Sequence, residues 1–176
     1  MNDIDITPMP IEKSFEELFK EQFSPVYNYI YYRVRNVMDA EDLTADVFIR
    51  AYEYWGSYCS SKGSQGAWLG GIARNMVKSY FQKEANKPQI TQMPEFICSN
   101  VCVEDSYLRK EDLLWVFTQI DSLPERQREL LLMKYLLRLT NRDIAKITGL
   151  SESNVGVTLH RTIKKMQEDS RNYEAH

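Results

Sequence analysis

Apolar side chains recur at helical spacing over residues 15–34. The members of this face are Phe15, Leu18, Phe19, Phe23, Val26, Tyr27, Ile30, Tyr31 and Val34. The period of three to four residues predicts amphipathic helix with an aromatic core face. Ser14 and Glu17 have the spacing of a capping box, which predicts the first helix start. Ser24 and Pro25 predict that a second helix begins within this stretch.

The segment "DAEDLTADVFIRAYEYW" carries two stripes on one predicted helix, which Asp39 is expected to cap. The first stripe, expected to pack inward, is Leu43, Val47, Ala51 and Tyr54. The second is Asp42, Asp46, Ile49 and Glu53. A charged stripe is ordinarily a solvated helix face. Ile49 does not fit that interpretation, because it places an apolar side chain among carboxylates.

A Gly/Ser-rich segment, residues 56–66, predicts a loop, and "AWLGGIARNMVKSYFQK" predicts the helix that follows it. Its core stripe is expected to be Leu69, Ile72, Met76 and Tyr80. Arg74 and Lys78 lie four residues apart on another face, with Asn75 beside them. Gly70 and Gly71 each weaken a helix interior by about 1 kcal/mol, which predicts a close backbone approach at this point.

Residues 88–106 contain two prolines, no clear period and no basic side chain, which is typical of a linker. Helical patterning resumes at Tyr107, and no strand pattern of any length occurs. The sequence therefore predicts an all-α protein with two small helical domains, residues 11–87 and 107–170, joined by a flexible linker over 88–106.

The C-terminal segment predicts a helix-turn-helix. Thr140 and Asp143 form a cap, Gly149 ends the first helix, and Ser151 caps the second. On the second helix Val155, Leu159 and Met166 are expected to pack inward. The outward positions are Ser153, Asn154, Val157, His160, Arg161 and Lys164. A plain αα-hairpin is the alternative, but the double cap and the basic end favour DNA binding.

Charge and composition narrow the function classes. The net charge is −3, and residues 1–70 carry 11 acidic but only 6 basic side chains, which argues against a generic nucleic-acid binder. No apolar run approaches a membrane span, so we expect a cytoplasmic protein. The only histidines are His160 and His176, and Cys98 with Cys102 lack the partners of a zinc site. We expect no catalytic site, metal, cofactor or small-molecule substrate.

Four segments, in order, resemble a bacterial sigma factor of the extracytoplasmic-function (ECF) group, which has only the second and fourth conserved regions. "DAEDLTADVFIRAY" resembles the polymerase-binding helix and "WLGGIARNMVKSYFQK" the minus-ten recognition helix. "LPERQRELLLMKYL" and "NRDIAKITGLSESNVGVTLHR" resemble the fourth region, including the helix-turn-helix that binds the minus-thirty-five element.

The resemblance implies a role for each candidate residue. It implies docking on the clamp helices of core RNA polymerase through Asp42, Asp46, Ile49 and Arg50. It implies contacts to the minus-ten element from Tyr58, Ser60, Ser61, Lys62, Arg74, Asn75 and Lys78. It implies contacts to duplex promoter DNA from Ser153, Asn154, Val157, His160, Arg161 and Lys164. It also implies an anti-sigma factor, often membrane-anchored, as a partner.

The sequence departs from the family pattern in its last helix. Lys or Arg is frequent there in the family, whereas this chain has Gly156, Thr158 and Ile163, and no Lys or Arg between Ser151 and His160. Few phosphates can be neutralised, so this helix alone is expected to bind duplex DNA weakly. The competing hypothesis is a polymerase-independent helix-turn-helix regulator, which would need a ligand pocket or a symmetric dimer helix.

Overall fold

A computed structural model describes residues 14–85 and 118–174. The α-helices with complete bounds are α1 (Phe15–Val34), α2 (Val37–Glu53), α3 (Gln65–Glu84), α4 (Glu125–Tyr135), α5 (Asn141–Thr148) and α6 (Glu152–Glu174). Two short 3₁₀ helices, Trp55–Ser57 and Ser60–Lys62, join α2 to α3. No described residue forms a strand, and the predicted all-α class is confirmed. None of the helices described in these two ranges is long and apolar enough to cross a membrane.

The first aromatic stretch forms one helix, so the prediction of a second helix start at Pro25 is wrong. The capping box is present: the Ser14 hydroxyl accepts from the Glu17 amide, and the Glu17 carboxylate accepts from the Ser14 amide. Pro25 lies inside α1, and Val26 and Tyr29 beyond it are buried. Burial of these side chains against α2 and α3 offsets the backbone hydrogen bond that proline cannot donate.

The second helix begins earlier than predicted because Asn36, not Asp39, caps it. The Asn36 side chain accepts a hydrogen bond from the Asp39 amide. Asp39 instead accepts from the Tyr80 hydroxyl at 2.8 Å, which ties α2 to α3. Burial, followed by this hydrogen bond, raises the pKa of Tyr80.

The inward face of α2 differs in part from the predicted stripe. Its buried residues are Ala40, Thr44, Val47, Phe48 and Ala51. Tyr54, predicted to be part of the core, is 55% exposed because the helix ends at Glu53.

Helix α3 packs its small residues inward. Ser64 caps it by accepting from the Ala67 amide at 3.1 Å. Leu69, Ala73 and Val77 are fully buried, whereas the predicted core residues Ile72, Met76 and Tyr80 are half-buried. The close approach expected at the glycine pair occurs at Gly70, where a Cβ would lie 3.2 Å from Leu139 Cδ1. It does not occur at Gly71, which has no neighbour within 4 Å.

The predicted helix-turn-helix forms with the predicted caps. Thr140 and Asp143 form a complete capping box at the start of α5. Gly149 ends α5 in the left-handed conformation, with φ of 77°. The Ser151 hydroxyl accepts from the Asn154 amide at 3.2 Å and so caps α6. Ile144 and Val155 are fully buried between the two helices, which fixes their crossing.

The N-terminal and C-terminal halves, residues 14–85 and 118–174, share one hydrophobic core. Contacts run from α1 to α4 and from α3 to α5. The predicted linker over 88–106 lies outside the described residues, and the domain boundaries at 87 and 107 stay predictions.

Two glycine substitutions test the backbone conformations described above. They should change the free energy of unfolding in opposite directions. Gly149→Ala places a side chain in the left-handed region and should lower the free energy of unfolding by about 1–2 kcal/mol. Gly71→Ala has open space in a helix interior and should raise it by about 0.5–1 kcal/mol. Urea unfolding of the full chain measures both, and equal signs would contradict the assigned backbone roles.

Candidate nucleic-acid and polymerase interfaces

The loop between α2 and α3 is anchored by aromatic packing. The Tyr58 ring stacks on Trp55, with ring centroids 5.9 Å apart and 14° between planes, and also contacts Trp68 at 5.6 Å. The Tyr58 hydroxyl donates to the Gly63 carbonyl at 3.0 Å. Both tryptophans are half-buried against the core. Tyr58, predicted to contact a base, therefore also holds the loop in shape.

The three residues after Cys59 form the exposed tip of this loop. Ser60, Ser61 and Lys62 are all exposed. Cys59 Sγ lies 3.0 Å from Ser61 Oγ, and this hydrogen bond lowers the pKa of the Cys59 thiol. The backbone carbonyl of Lys62 accepts from Lys146 Nζ of α5 at 3.2 Å.

The C-terminal half contacts one of the three residues on the predicted DNA-binding face of α3 and leaves the other two exposed. Asn75 and Lys78 are exposed. Arg74, with 23% of its side chain exposed, donates from Nε to Glu129 Oε1 at 2.9 Å and from Nη1 to the Ile147 carbonyl at 3.2 Å. The three residues therefore do not form one free surface.

A cluster of ionic contacts joins α1 and α3 to α4. Arg33, with 6% of its side chain exposed, pairs with Glu129 at 3.4 Å and also with Glu125. Arg33 Nη1 donates to the Tyr29 hydroxyl at 3.3 Å, and burial raises the pKa of Tyr29. Sequence reasoning missed this cluster; the only available signal was Arg33, a charge inside the apolar stripe of α1.

The predicted polymerase stripe lies on the outer face of α2. Asp42, Asp46, Ile49 and Arg50 are all exposed, and Ile49 is 57% exposed. Arg50 Nη1 lies 3.5 Å from Met76 Sδ, a contact that directs the guanidinium toward α3. Within residues 14–85 and 118–174, the packing assigns no role to Asp46 or Ile49.

An aromatic group on α1 was predicted to be core but is half open to solvent. Phe19 is 39% exposed and Phe23 is 43% exposed. Their rings lie 4.8 Å and 5.9 Å from the ring of Phe48. The prediction was wrong because α2 covers only one side of this face of α1. Phe48, on which these rings pack, belongs to α2, the helix that carries the stripe.

The outward face of α6 matches the prediction residue by residue. Ser153, Asn154, Val157, His160, Arg161 and Lys164 are exposed, whereas Val155 and Leu159 are buried. Asn154 Oδ1 accepts from Thr158 Oγ1 at 3.2 Å, which orients the amide along the helix. Lys164 lies 3.9 Å from Glu168, and Val157 is 46% exposed. These six side chains lie on the solvent side of α6, away from the buried Val155 and Leu159.

Comparison with known proteins places this geometry in a family. Residues 18–87 match sigma-70 region 2 and residues 113–166 match sigma-70 region 4. The chain is 31% identical over 140 residues to the ECF RNA polymerase sigma factor SigC of Mycobacterium tuberculosis, covering 78% of this chain and 72% of SigC. It is 28% identical over 155 residues to the ECF sigma factor BldN of Streptomyces coelicolor, covering 87% of this chain and 59% of BldN.

A solved structure has the same fold. The sigma factor RpoE of Bartonella quintana, in a co-crystal with the anti-sigma factor NepR, superposes with a TM-score of 0.72 at 19% identity, covering 88% of this chain and 94% of RpoE. The chain belongs to the ECF group of the sigma-70 family. The resemblance inferred from the motifs is confirmed, and with it the prediction of a sigma factor that directs RNA polymerase to promoters.

Proposed function

We propose that this chain binds core RNA polymerase through α2 and contacts promoter DNA with both halves, acting in the cytoplasm without chemistry of its own. The observation that carries the proposal is the outer stripe of α2, where Ile49 is 57% exposed among carboxylates and outside the core formed by residues 14–85 and 118–174. An exposed apolar residue in a charged stripe is a feature of protein interfaces.

The docking surface is defined by Asp42, Asp46, Ile49 and Arg50. The carboxylates favour a basic partner surface and speed the encounter with it, while Ile49 supplies the apolar contact at its centre. Arg50 adds a cation at the end of the stripe nearest α3. The rings of Phe19 and Phe23, which pack on Phe48 of α2, present further exposed apolar surface on α1.

Asp46→Arg combined with Ile49→Ser tests the docking surface. Both side chains are exposed, so the variant should fold, and loss of the apolar contact plus charge reversal should weaken core binding at least tenfold. The measurement is the affinity of labelled chain for purified core polymerase, checked by circular dichroism for folding.

The matched control is Glu16→Arg with Tyr135→Ser, a charge reversal and the loss of an exposed apolar side chain at positions outside α2. It should leave core affinity unchanged. Full affinity in a folded Asp46→Arg, Ile49→Ser variant would remove α2 as the docking surface.

The minus-ten element is contacted by the loop and by α3. Ser60, Ser61 and Lys62 present hydroxyls and a cation at an exposed tip, and Tyr58 supplies an aromatic ring beside them. Stacking on an aromatic ring is worth about 1–3 kcal/mol per base, which offsets much of the cost of extruding one. Asn75, Lys78 and Arg74 line α3 beyond the loop and suit phosphate contacts.

The minus-thirty-five element is read by α6. Ser153, Asn154 and Val157 lie on its N-terminal part, the part that a helix-turn-helix places against base edges. Asn pairs well with adenine, and Val contacts the methyl group of thymine. His160, Arg161 and Lys164 lie further along and suit phosphates. Specificity and affinity are therefore carried by different turns of the same helix.

Val157→Ala and Arg161→Ala should separate these two roles. In the assembled holoenzyme, Val157→Ala should flatten the preference at one base pair, because a single apolar base contact is lost. Arg161→Ala should weaken all sites alike and make the salt dependence shallower by about one unit. Binding selection from a randomised duplex library, followed by salt titration, measures both effects. A change of base preference with Arg161→Ala would contradict the assignment.

We propose that an anti-sigma factor binds this chain and inhibits it. RpoE, which shares this fold, was crystallised with the anti-sigma factor NepR. The exposed aromatic and acidic surface of α1 and α2 is the surface that such a partner would need to cover to prevent polymerase binding. Whether that partner is membrane-anchored stays a prediction from the family resemblance.

A further inference from the structure

A cleft of about 280 Å³ lies between the loop that joins α2 to α3 and helix α5. Its walls include Tyr58 and Lys62 of the loop, Trp68 and Gly71 of α3, and Lys146 of α5. Ligand sites in proteins have volumes of about 300–1,000 Å³, apolar or aromatic walls and a few polar groups that orient the ligand. The cleft is close to the lower limit of that range, so its size suits a small molecule.

Gly71 is a glycine in a helix interior that packing does not explain. Glycine at such a position destabilises a helix relative to alanine. At the neighbouring Gly70 a Cβ would lie 3.2 Å from Leu139 Cδ1, which accounts for glycine there. A Cβ at Gly71 would have no neighbour within 4 Å, and it would lie at the wall of the cleft. The absence of a side chain keeps this wall open, as glycine does where a ligand approaches the backbone closely.

Two aromatic rings give the cleft a surface for a planar group. Tyr58 and Trp68 both line it, and their ring centroids lie 5.6 Å apart. Trp55 stacks on Tyr58 at 5.9 Å, and the Tyr58 hydroxyl donates to the Gly63 carbonyl at 3.0 Å. Rings that are held in place before a ligand binds lose little conformational entropy when it does. Because every nucleobase stacks on aromatic side chains, these walls suit a base.

The charged groups of the cleft favour an anion. Lys62 is exposed on the loop, and Lys146 Nζ donates one hydrogen bond, at 3.2 Å, to the Lys62 carbonyl. Asp143 also lines the cleft, but its carboxylate accepts from the Thr140 hydroxyl at 2.7 Å and from the Thr140 amide at 3.4 Å. This carboxylate is therefore engaged in the cap of α5. An ammonium group has three donors, so both lysines retain donors for phosphate oxygens.

We propose that this cleft binds a nucleoside diphosphate. The base lies against Tyr58 and Trp68, over the backbone of Gly71. The two phosphates lie between Lys62 and Lys146, one for each ammonium group. Aromatic walls alone would suit any planar apolar ligand, and two lysines alone would suit inorganic phosphate, whereas a nucleotide carries both groups. Binding of such a ligand goes beyond the proposed function and does not depend on the contacts to polymerase or promoter DNA.

The bound nucleotide contacts both halves of the chain. The loop and α3 belong to residues 14–85, and α5 belongs to residues 118–174. A ligand that binds only the folded, packed chain stabilises it in proportion to the logarithm of its concentration above Kd. The concentration of a small molecule would therefore set how firmly α5 is held against the loop.

ADP in the absence of metal ions is the probe, and isothermal titration calorimetry with the full chain measures its affinity. The wild-type chain should bind ADP with a Kd below about 1 mM. Gly71→Leu fills the open wall of α3. Lys62→Gln removes one ammonium group but keeps the backbone carbonyl that accepts from Lys146. Each variant should weaken ADP binding by about tenfold or more, because each removes space or a charged donor that the ligand needs.

The matched controls are Gly56→Leu and Lys83→Gln. Gly56 also has no neighbour within 4 Å of a Cβ, and Lys83 is an exposed cation of α3. Neither residue lines the cleft, so neither substitution should change the affinity for ADP. Circular dichroism and urea unfolding check that the variants fold. Lys62→Gln changes only an exposed side chain, so it tests the site even if Gly71→Leu does not fold.

Adenosine and inorganic phosphate test the two parts of the site separately. ADP should bind about tenfold more tightly than either, because each supplies only one of the two kinds of contact. Equal affinity for phosphate or adenosine, or no binding at about 1 mM ADP, would overturn the proposal. Full ADP affinity in folded Lys62→Gln would do the same. Binding of a single-stranded oligonucleotide without binding of ADP would also overturn it and would assign the cleft to DNA.

Discussion

The pairing of Glu129 with Arg33 and Arg74 is the interaction on which the arrangement of the two halves depends. It joins α4 to both α1 and α3, and it lies beside the glycine contact that brings the backbones together. Its energy is small in net terms, because two guanidinium groups lose water to form it. A weak but geometrically specific interface fits a protein whose halves must act at separate DNA elements.

The distribution of charge explains why such a protein works through a partner. The N-terminal half presents carboxylates on α2, which repel a phosphate backbone and favour a basic protein surface. The reading helix α6 offers Arg161 and Lys164 but no cation over its first turns. We therefore expect the isolated chain to bind DNA weakly, with α6 contributing base preference more than binding energy. Docking to polymerase should supply the remaining affinity for DNA, because it holds the chain near the duplex.

Local rules predicted much of the fold and long-range packing explains the failures. The caps at Ser14, Thr140 and Ser151, the helix end at Gly149 and the outward face of α6 follow from spacing alone. Tertiary contacts decide two of the errors: α1 continues through Pro25, and Phe19 with Phe23 stays partly exposed. The start of α2 is a local error, because Asn36 rather than Asp39 caps that helix. The partner of Arg74 lies 55 residues away in sequence, and no local pattern identifies it.

The most direct test of the account is duplex binding by the free chain and by the holoenzyme across a salt series, with a genomic fragment selected by the holoenzyme. With two or three phosphates contacted, the logarithm of the free chain's affinity should fall against that of salt with a slope near −2 to −3. Binding should be weak at physiological salt and become tight only when core polymerase is present. Tight, sequence-specific binding by the isolated chain at physiological salt would contradict the account and favour an independent regulator.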